Sequence, residues 1–288
     1  MRTPGTIISG LLAAVFATTA AAGGEPGVAP GHETYAAPAS AFVSAYDRSV
    51  LAARPVGYWT RRLDLSGGGH DGVFTGNPGR ARMPNGDPAP RYDGSGEFLT
   101  IPDSSRLSVP RTGVLTVEAW LRPDTAQFPQ GEGNGGGYVH WLGKGTPGEH
   151  EYAARMYSRQ NADGRPSRIS AYAFNRSGGL GAGSYFQDAV RVGEWVHVAF
   201  VINTKDRPQG YPTGYTKIYK NGELRDHDAL AQYAIVPTDG AAPLRVATRD
   251  LSSYFEGAVG KVAVYDRELL PAELLGHYQM MCGRTRCP

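Results

Sequence analysis

Over residues 115–122, apolar Leu115, Val117, Ala119 and Leu121 alternate with Thr116, Glu118, Trp120 and Arg122. This is the period-two pattern of a strand with two distinct faces. Residues 195–202 form a nearly unbroken β-branched and aromatic run, which predicts a central strand buried on both faces. Tyr215–Lys220 passes through Asn221-Gly222 into a second extended stretch. Asn-Gly accepts the positive φ values of a type I′ turn, so a hairpin is predicted here. Residues 244–248 and 258–265 read as further strands, and residues 151–157 and 169–174 as an adjacent pair. One helix is predicted, where Leu270, Leu274, Leu275 and Tyr278 recur at helical spacing behind Pro271. Many short strands and a single helix predict an all-β chain: a two-sheet antiparallel jelly-roll sandwich with one short C-terminal helix.

Composition agrees with that picture and narrows the function. The 288 residues include 39 Gly and 21 Pro, yet 41% are hydrophobic and 16 are Tyr, so turns are frequent and the core is real. A net charge of +2 leaves no electrostatic footprint for nucleic acid or for an anionic membrane. Residues 1–22 read as a secretory signal, with Arg2 ahead of an apolar stretch and Ala20-Ala21-Ala22 as the cleavage site. The stretch falls short of the ~20 residues that span a bilayer, so the mature chain is expected to be secreted, with no membrane span. Residues 23–43, rich in Gly, Ala and Pro, read as a flexible linker, followed by a single domain over 44–281 and a tail over 282–288. In an oxidising compartment Cys282 and Cys287 are expected to close a local disulfide; a metal-binding pair is the rival reading.

Several short motifs stand in a telling order: Tyr46-x3-Val50-Leu51-x3-Pro55-x2-Tyr58-Trp59, Asp64-x-Ser66-Gly67-Gly68-Gly69-His70-Asp71-Gly72 and Tyr92-Asp93-Gly94. Thr116-Val117-Glu118-Ala119-Trp120, Gly143-Lys144-Gly145, Trp195-x-His197-Val198-Ala199, Tyr219-x-Asn221-Gly222, Phe255-x-Gly257, Tyr265-x-Arg267-x2-Leu270 and His277-Tyr278 complete the series. Together they resemble the laminin-G-like (LamG) branch of the concanavalin A-like lectin/glucanase superfamily, collinearly over residues 46–278. The resemblance implies that the first of these motifs is the family's opening strand. It also implies lectin modules, glycosidases, polysaccharide lyases and adhesion domains as the possible roles, because fold does not fix function. Calcium is the ion implied, with Asp64 as the candidate ligand. Where relatives carry an acidic pair, however, this chain has Gly260-Lys261, so a hard cation loses ligands there.

A retaining glycosidase needs two carboxylates about 5 Å apart. In glucanase relatives both come from Glu-x-Asp-x-x-Glu, and none of the 12 Glu here is followed two positions later by Asp. There is no Gly-x-Ser-x-Gly elbow and no Gln-x-His pair of the lyase type. No catalytic residue is therefore assigned. Glu118 reads either as a cleft-lining carboxylate or as a solvated strand residue, and His197 as a core residue. Of Asp226-His227-Asp228 only the two Asp share a strand face.

For carbohydrate, Arg155 and Tyr157 share one face of their strand, and Tyr172 and Phe174 one face of the next. The four form a candidate platform for sugar rings. The alternative puts the aromatics in the core and the small residues outside. The expected function is a secreted, non-catalytic, lectin-like module for extracellular or cell-wall carbohydrate. A polysaccharide-degrading enzyme with a site on the concave sheet, and an adhesion module binding protein, are the alternatives.

Overall fold

The computed structural model describes residues 43–128, 131–133, 137–283 and 287. The expected signal and the linker up to residue 42 lie outside the described residues, as does part of the glycine-rich stretch near residue 130. The strands are β1 (Gly57–Trp59), β2 (Val73–Thr75), β3 (Gly79–Arg82), β4 (Pro88–Asp93), β5 (Phe98–Ile101), β6 (Val114–Pro123), β7 (Tyr138–Lys144) and β8 (Tyr152–Tyr157). They continue with β9 (Ile169–Ala173), β10 (Ala182–Tyr185), β11 (Val196–Asn203), β12 (Tyr215–Lys220), β13 (Glu223–Ala229), β14 (Leu244–Val246) and β15 (Glu256–Tyr265).

They form two antiparallel sheets. One runs β13-β12-β11-β6-β15-β4-β3, with β1 paired to β15; the other runs β10-β9-β8-β7-β14-β5-β2. The alternation in β6 sends Leu115, Val117, Ala119 and Leu121 between the sheets, with Val198, Phe200 and Ile202 of β11. Met156, Ile169, Ala171 and Ala173 of the second sheet complete this core. The β12–β13 hairpin turns on Asn221 (φ 55) and Gly222 (φ 81), both in the left-handed region that a type I′ turn requires.

The outer face of the first sheet is closed by α1 (Ala45–Ala52) and α2 (Pro271–Cys282), which bury a second apolar cluster around Trp120, Tyr219 and Tyr265. The segment beginning at Tyr46, expected as the opening strand, is thus helical until Ala52, and extended backbone begins only at Gly57. The cause is local: the Ser44 side chain accepts the Asp47 N–H while Asp47 accepts the Ser44 N–H, a reciprocal cap that nucleates the helix. On α2 the buried stripe is Leu274, His277, Tyr278 and Met281. Leu270 and Leu275, expected in it, are 63% and 39% exposed: Leu270 is the extended N-cap residue ahead of the helix, and helix phase places Leu275 off the sheet-facing side. A disulfide joins Cys282 to Cys287, and both pack at the edge of the second cluster.

Glu118 is neither solvated nor in a cleft. Its side chain is wholly buried beneath α2. Tyr265 Oη donates to Oε1 at 2.8 Å, while Oε2 lies 3.0 Å from His277 Nδ1 and 3.4 Å from His197 Nε2. Burial alone would raise its pKa, but contacts with His197 and His277 outweigh burial and hold the carboxyl at about 2. A second charged cluster pins α1. Lys261 Nζ lies 2.6 Å from Asp47 Oδ1 and 2.7 Å from Asp87 Oδ2. Lys261 sits at φ 57 within a bulge of β15 against β6, which turns its side chain to the outer face.

Candidate functional site

Among the described residues, no α-helix covers the corresponding outer face of β7 to β10. Register sets Tyr138 opposite Tyr157, His140 opposite Arg155, and Ala153 opposite Tyr172, so these side chains share one face. Tyr172, Phe174 and Ala153 form an apolar cluster of their own there. Ile169, Ala171 and Ala173 instead enter the intersheet core, so the small residues face inward and the aromatics outward. Arg155, Tyr157, Tyr172 and Phe174 all line one hollow of about 500 Å³, together with Tyr138 and Arg165.

The rings are not a bare platform. Tyr157, Tyr172 and Phe174 are only 2%, 8% and 3% exposed. The Arg155 guanidinium carbon lies 4.1 Å from the Tyr138 ring centre, 4.8 Å from that of Tyr172 and 5.4 Å from that of Phe174. Such stacking is favourable in its own right and leaves the guanidinium edge available for hydrogen bonds. Arg165, from the β8–β9 loop, lies 4.3 Å over Tyr185 and donates from Nη1 to the Tyr157 and Tyr172 hydroxyls at 3.1 and 2.7 Å. Those two hydroxyls are 2.9 Å apart. Burial, followed by the neighbouring Tyr157, pushes the Tyr172 phenol well above its ordinary value, so it stays protonated at neutral pH.

Behind Arg155 stands a positioning chain. Its Nε–H points at His140 Nε2 at 3.2 Å, and His140 Nδ1 lies 2.8 Å from Glu132. Burial lowers the His140 imidazole to about 4, so near neutrality the ring is uncharged. An uncharged ring that donates from Nδ1 to Glu132 has Nε2 free to accept from Arg155. Ser253 Oγ also donates to Glu132, at 2.7 Å.

Sequence reasoning missed Tyr138, Arg165 and Tyr185, and the glycines beside them. A Cβ on Gly183 would come within 2.3 Å of the Tyr172 ring, and one on Gly181 within 2.7 Å of the Phe174 ring. The period-two spacing of Gly179, Gly181 and Gly183, running into the edge strand β10, was the available signal. Arg165 had none, because a loop positions it.

The Asp64 carboxylate, the candidate calcium ligand, is engaged by backbone donors. It accepts the backbone N–H groups of Tyr58, Ser66 and His70 at 2.9–3.0 Å, organising its own glycine-rich turn. Among the described residues, two other groups bring three possible ligands together: Glu132, His140 and Asp250, and Asp103, Glu151 and Asp239. Each already holds an internal cation. Arg249 pairs with Asp250, and the wholly buried Lys144 pairs with Asp103 and Glu151. Asp226 accepts the Tyr185 N–H at 3.2 Å, whereas Asp228 lines the hollow.

Residues 93–275 match a family model described as the concanavalin A-like lectin/glucanases superfamily, laminin G type. Among solved structures, domain 4 of AbnA, an extracellular arabinanase from Geobacillus stearothermophilus in complex with arabinotriose, superposes with a TM-score of 0.55 at 16% identity. That match covers 78% of this chain and 98% of the domain. The binding domain of Paraclostridial Mosquitocidal Protein 1 gives 0.57 at 12% identity, covering 80% and 52%. The binding domain of botulinum neurotoxin DC in complex with SialylT gives 0.58 at 10%, again covering 80% and 52%. The present chain thus spans about half the length of the two toxin chains. At such identities the likeness is one of fold. No curated protein matches the sequence at a significant level.

Proposed function

Because the chain belongs to the laminin G type of the concanavalin A-like lectin/glucanase superfamily, we propose that it is a secreted, lectin-like module that binds extracellular or cell-wall carbohydrate without cleaving it. The observation that carries this reading is the asymmetry of the sandwich. One outer face is sealed by two helices, while the other presents an aromatic and arginine-lined hollow. Sugar recognition needs ring faces for C–H-rich surfaces and donors for hydroxyls. Tyr138 and Tyr233, both partly exposed where they line the hollow, offer the former, Arg155 and Arg165 the latter. The likeness to an arabinanase domain solved with arabinotriose supports the same reading.

Retention of the full-length protein on a polysaccharide panel, with no release of reducing ends or of ultraviolet-absorbing unsaturated sugars, is the expected result. No retention on any member, or product release, would refute it. Tyr138→Ala and Tyr233→Ala, on opposite sides of the hollow, should each weaken binding by about 1 kcal/mol, roughly fivefold, in calorimetric titrations. Tyr233 is 40% exposed, so its replacement should leave the melting temperature unchanged. Export with cleavage after Ala22 should give a mature chain beginning at Gly23, checked by mass spectrometry of culture medium.

A further inference from the structure

We infer that the hollow takes an anionic sugar, one bearing a carboxylate or a sulfate ester, held by Arg155 and Arg165. The inference rests on the carbohydrate-binding reading above and adds the charge of the ligand. Most other partly or wholly buried cations are paired, among them Lys144 with Asp103 and Glu151, Arg249 with Asp250, Lys261 with Asp47 and Asp87, and Arg267 with Glu273. Arg168 and Arg245 make no ion pair among the described residues, but they do not line the hollow. Arg155 and Arg165 differ. Both are half-buried, yet among the described residues their hydrogen-bond partners are the His140 ring and the two tyrosine hydroxyls, none of them a carboxylate. Desolvating a cation without a counter-charge is unfavourable, and two in one hollow repel each other as well.

What holds them there is aromatic stacking, from Tyr138, Tyr172 and Phe174 under Arg155 and from Tyr185 under Arg165. A guanidinium stacked on its flat face presents its N–H edge, the geometry that grips a carboxylate or sulfate through two parallel bonds. The positioning chain from Glu132 through His140 fixes the Arg155 edge from behind. The carboxylates that line the hollow, Asp163 and Asp228, make no ion pair with either arginine within 4.0 Å among the described residues. Burial, with Asp226 nearby, raises the Asp228 carboxyl and outweighs the pull of Arg165 and His227 on its charged form, weakening it as a resident counter-ion. Neither arginine is thus paired with a carboxylate among the described residues, and a ligand anion can supply that partner.

The test uses the full-length protein with matched polymers. Polygalacturonate, alginate, hyaluronan and sialyllactose are each compared with the carboxyl-reduced counterpart, and dextran sulfate with dextran. Binding to at least one acidic member should exceed its neutral partner by about tenfold or more, and the advantage should shrink as salt is raised. Arg155→Gln and Arg165→Gln should each remove that advantage at an unchanged melting temperature. Arg191→Gln, at an 81% exposed arginine remote from the hollow, should leave it intact. A preference confined to dextran sulfate identifies a sulfate ester as the source of the charge. Equal binding of acidic and neutral partners, or a preference insensitive to both arginine variants, overturns the inference and leaves the carbohydrate reading standing. Retention of no member overturns both.

Discussion

Glu118→Ala is expected to destabilise the fold by about 3–5 kcal/mol, measured as a fall in the urea midpoint. The carboxylate is wholly buried and joins three elements: Tyr265 of β15, His197 of β11 and His277 of α2. Removing it leaves the Tyr265 hydroxyl and the His277 and His197 rings buried without their carboxylate partner, and opens a void beneath the helix. The same cluster sets a pH window. Glu118 is held at about 2 against an ordinary 4.5, so its contribution is present above 4.5 and is lost as pH falls towards 2. His277 behaves oppositely. Burial works against its charge, but contact with Glu118 outweighs burial and raises it above 6.5. Its contribution is therefore complete below 6.5 and disappears as pH climbs through the raised value. Urea midpoints should accordingly be highest between about pH 4.5 and 6.5 and decline on both sides, and in Glu118→Gln this dependence should flatten. An unaltered pH profile in that variant would show that the helix does not depend on the pair.

Lys261→Met should cost a comparable amount, about 3–5 kcal/mol. The substitution keeps the length of the side chain but leaves Asp47 buried, with a side chain only 6% exposed and no ammonium beside it. Asp47 is also the residue that caps α1, so the loss should be felt first there. Amide hydrogen exchange is expected to accelerate over Ala45–Ala52 before the sheets respond. Converting Asp47 and Asp87 to Asn in the same background should recover much of the stability, since the unpaired charges are then gone. A Lys261→Met protein with unchanged exchange in α1 would contradict this account. Both variants probe the closure of one outer face, and neither touches the hollow on the other. Polysaccharide binding by whatever fraction remains folded should therefore be unaffected.

Period-two alternation in residues 115–122, the unbroken run in β11, the Asn221-Gly222 turn and the helical spacing of leucines behind Pro271 pointed to two antiparallel sheets with a C-terminal helix, because each is a local consequence of backbone geometry. The shared face of Arg155 and Tyr157, and that of Tyr172 and Phe174, followed from the same alternation. Alternation says which residues lie together on a face. It does not say what covers that face. Glu118 read as cleft-lining or solvated because nothing in β6 reveals that α2, some 150 residues later in the chain, comes to rest upon it. The helix at residues 45–52 was hidden for a related reason: its opening motif matches a family strand, while the Ser44–Asp47 cap that decides its conformation lies at its edge. In the hollow, Arg165 arrives from a loop and the Glu132–His140–Arg155 chain crosses from β7 to β8, so spacing along one strand carried no trace of either. Local pattern thus determined the layers and the facing of their side chains. Only tertiary packing decided which layer was sealed and which stayed open, since burial and ion pairing are set by neighbours distant in the chain.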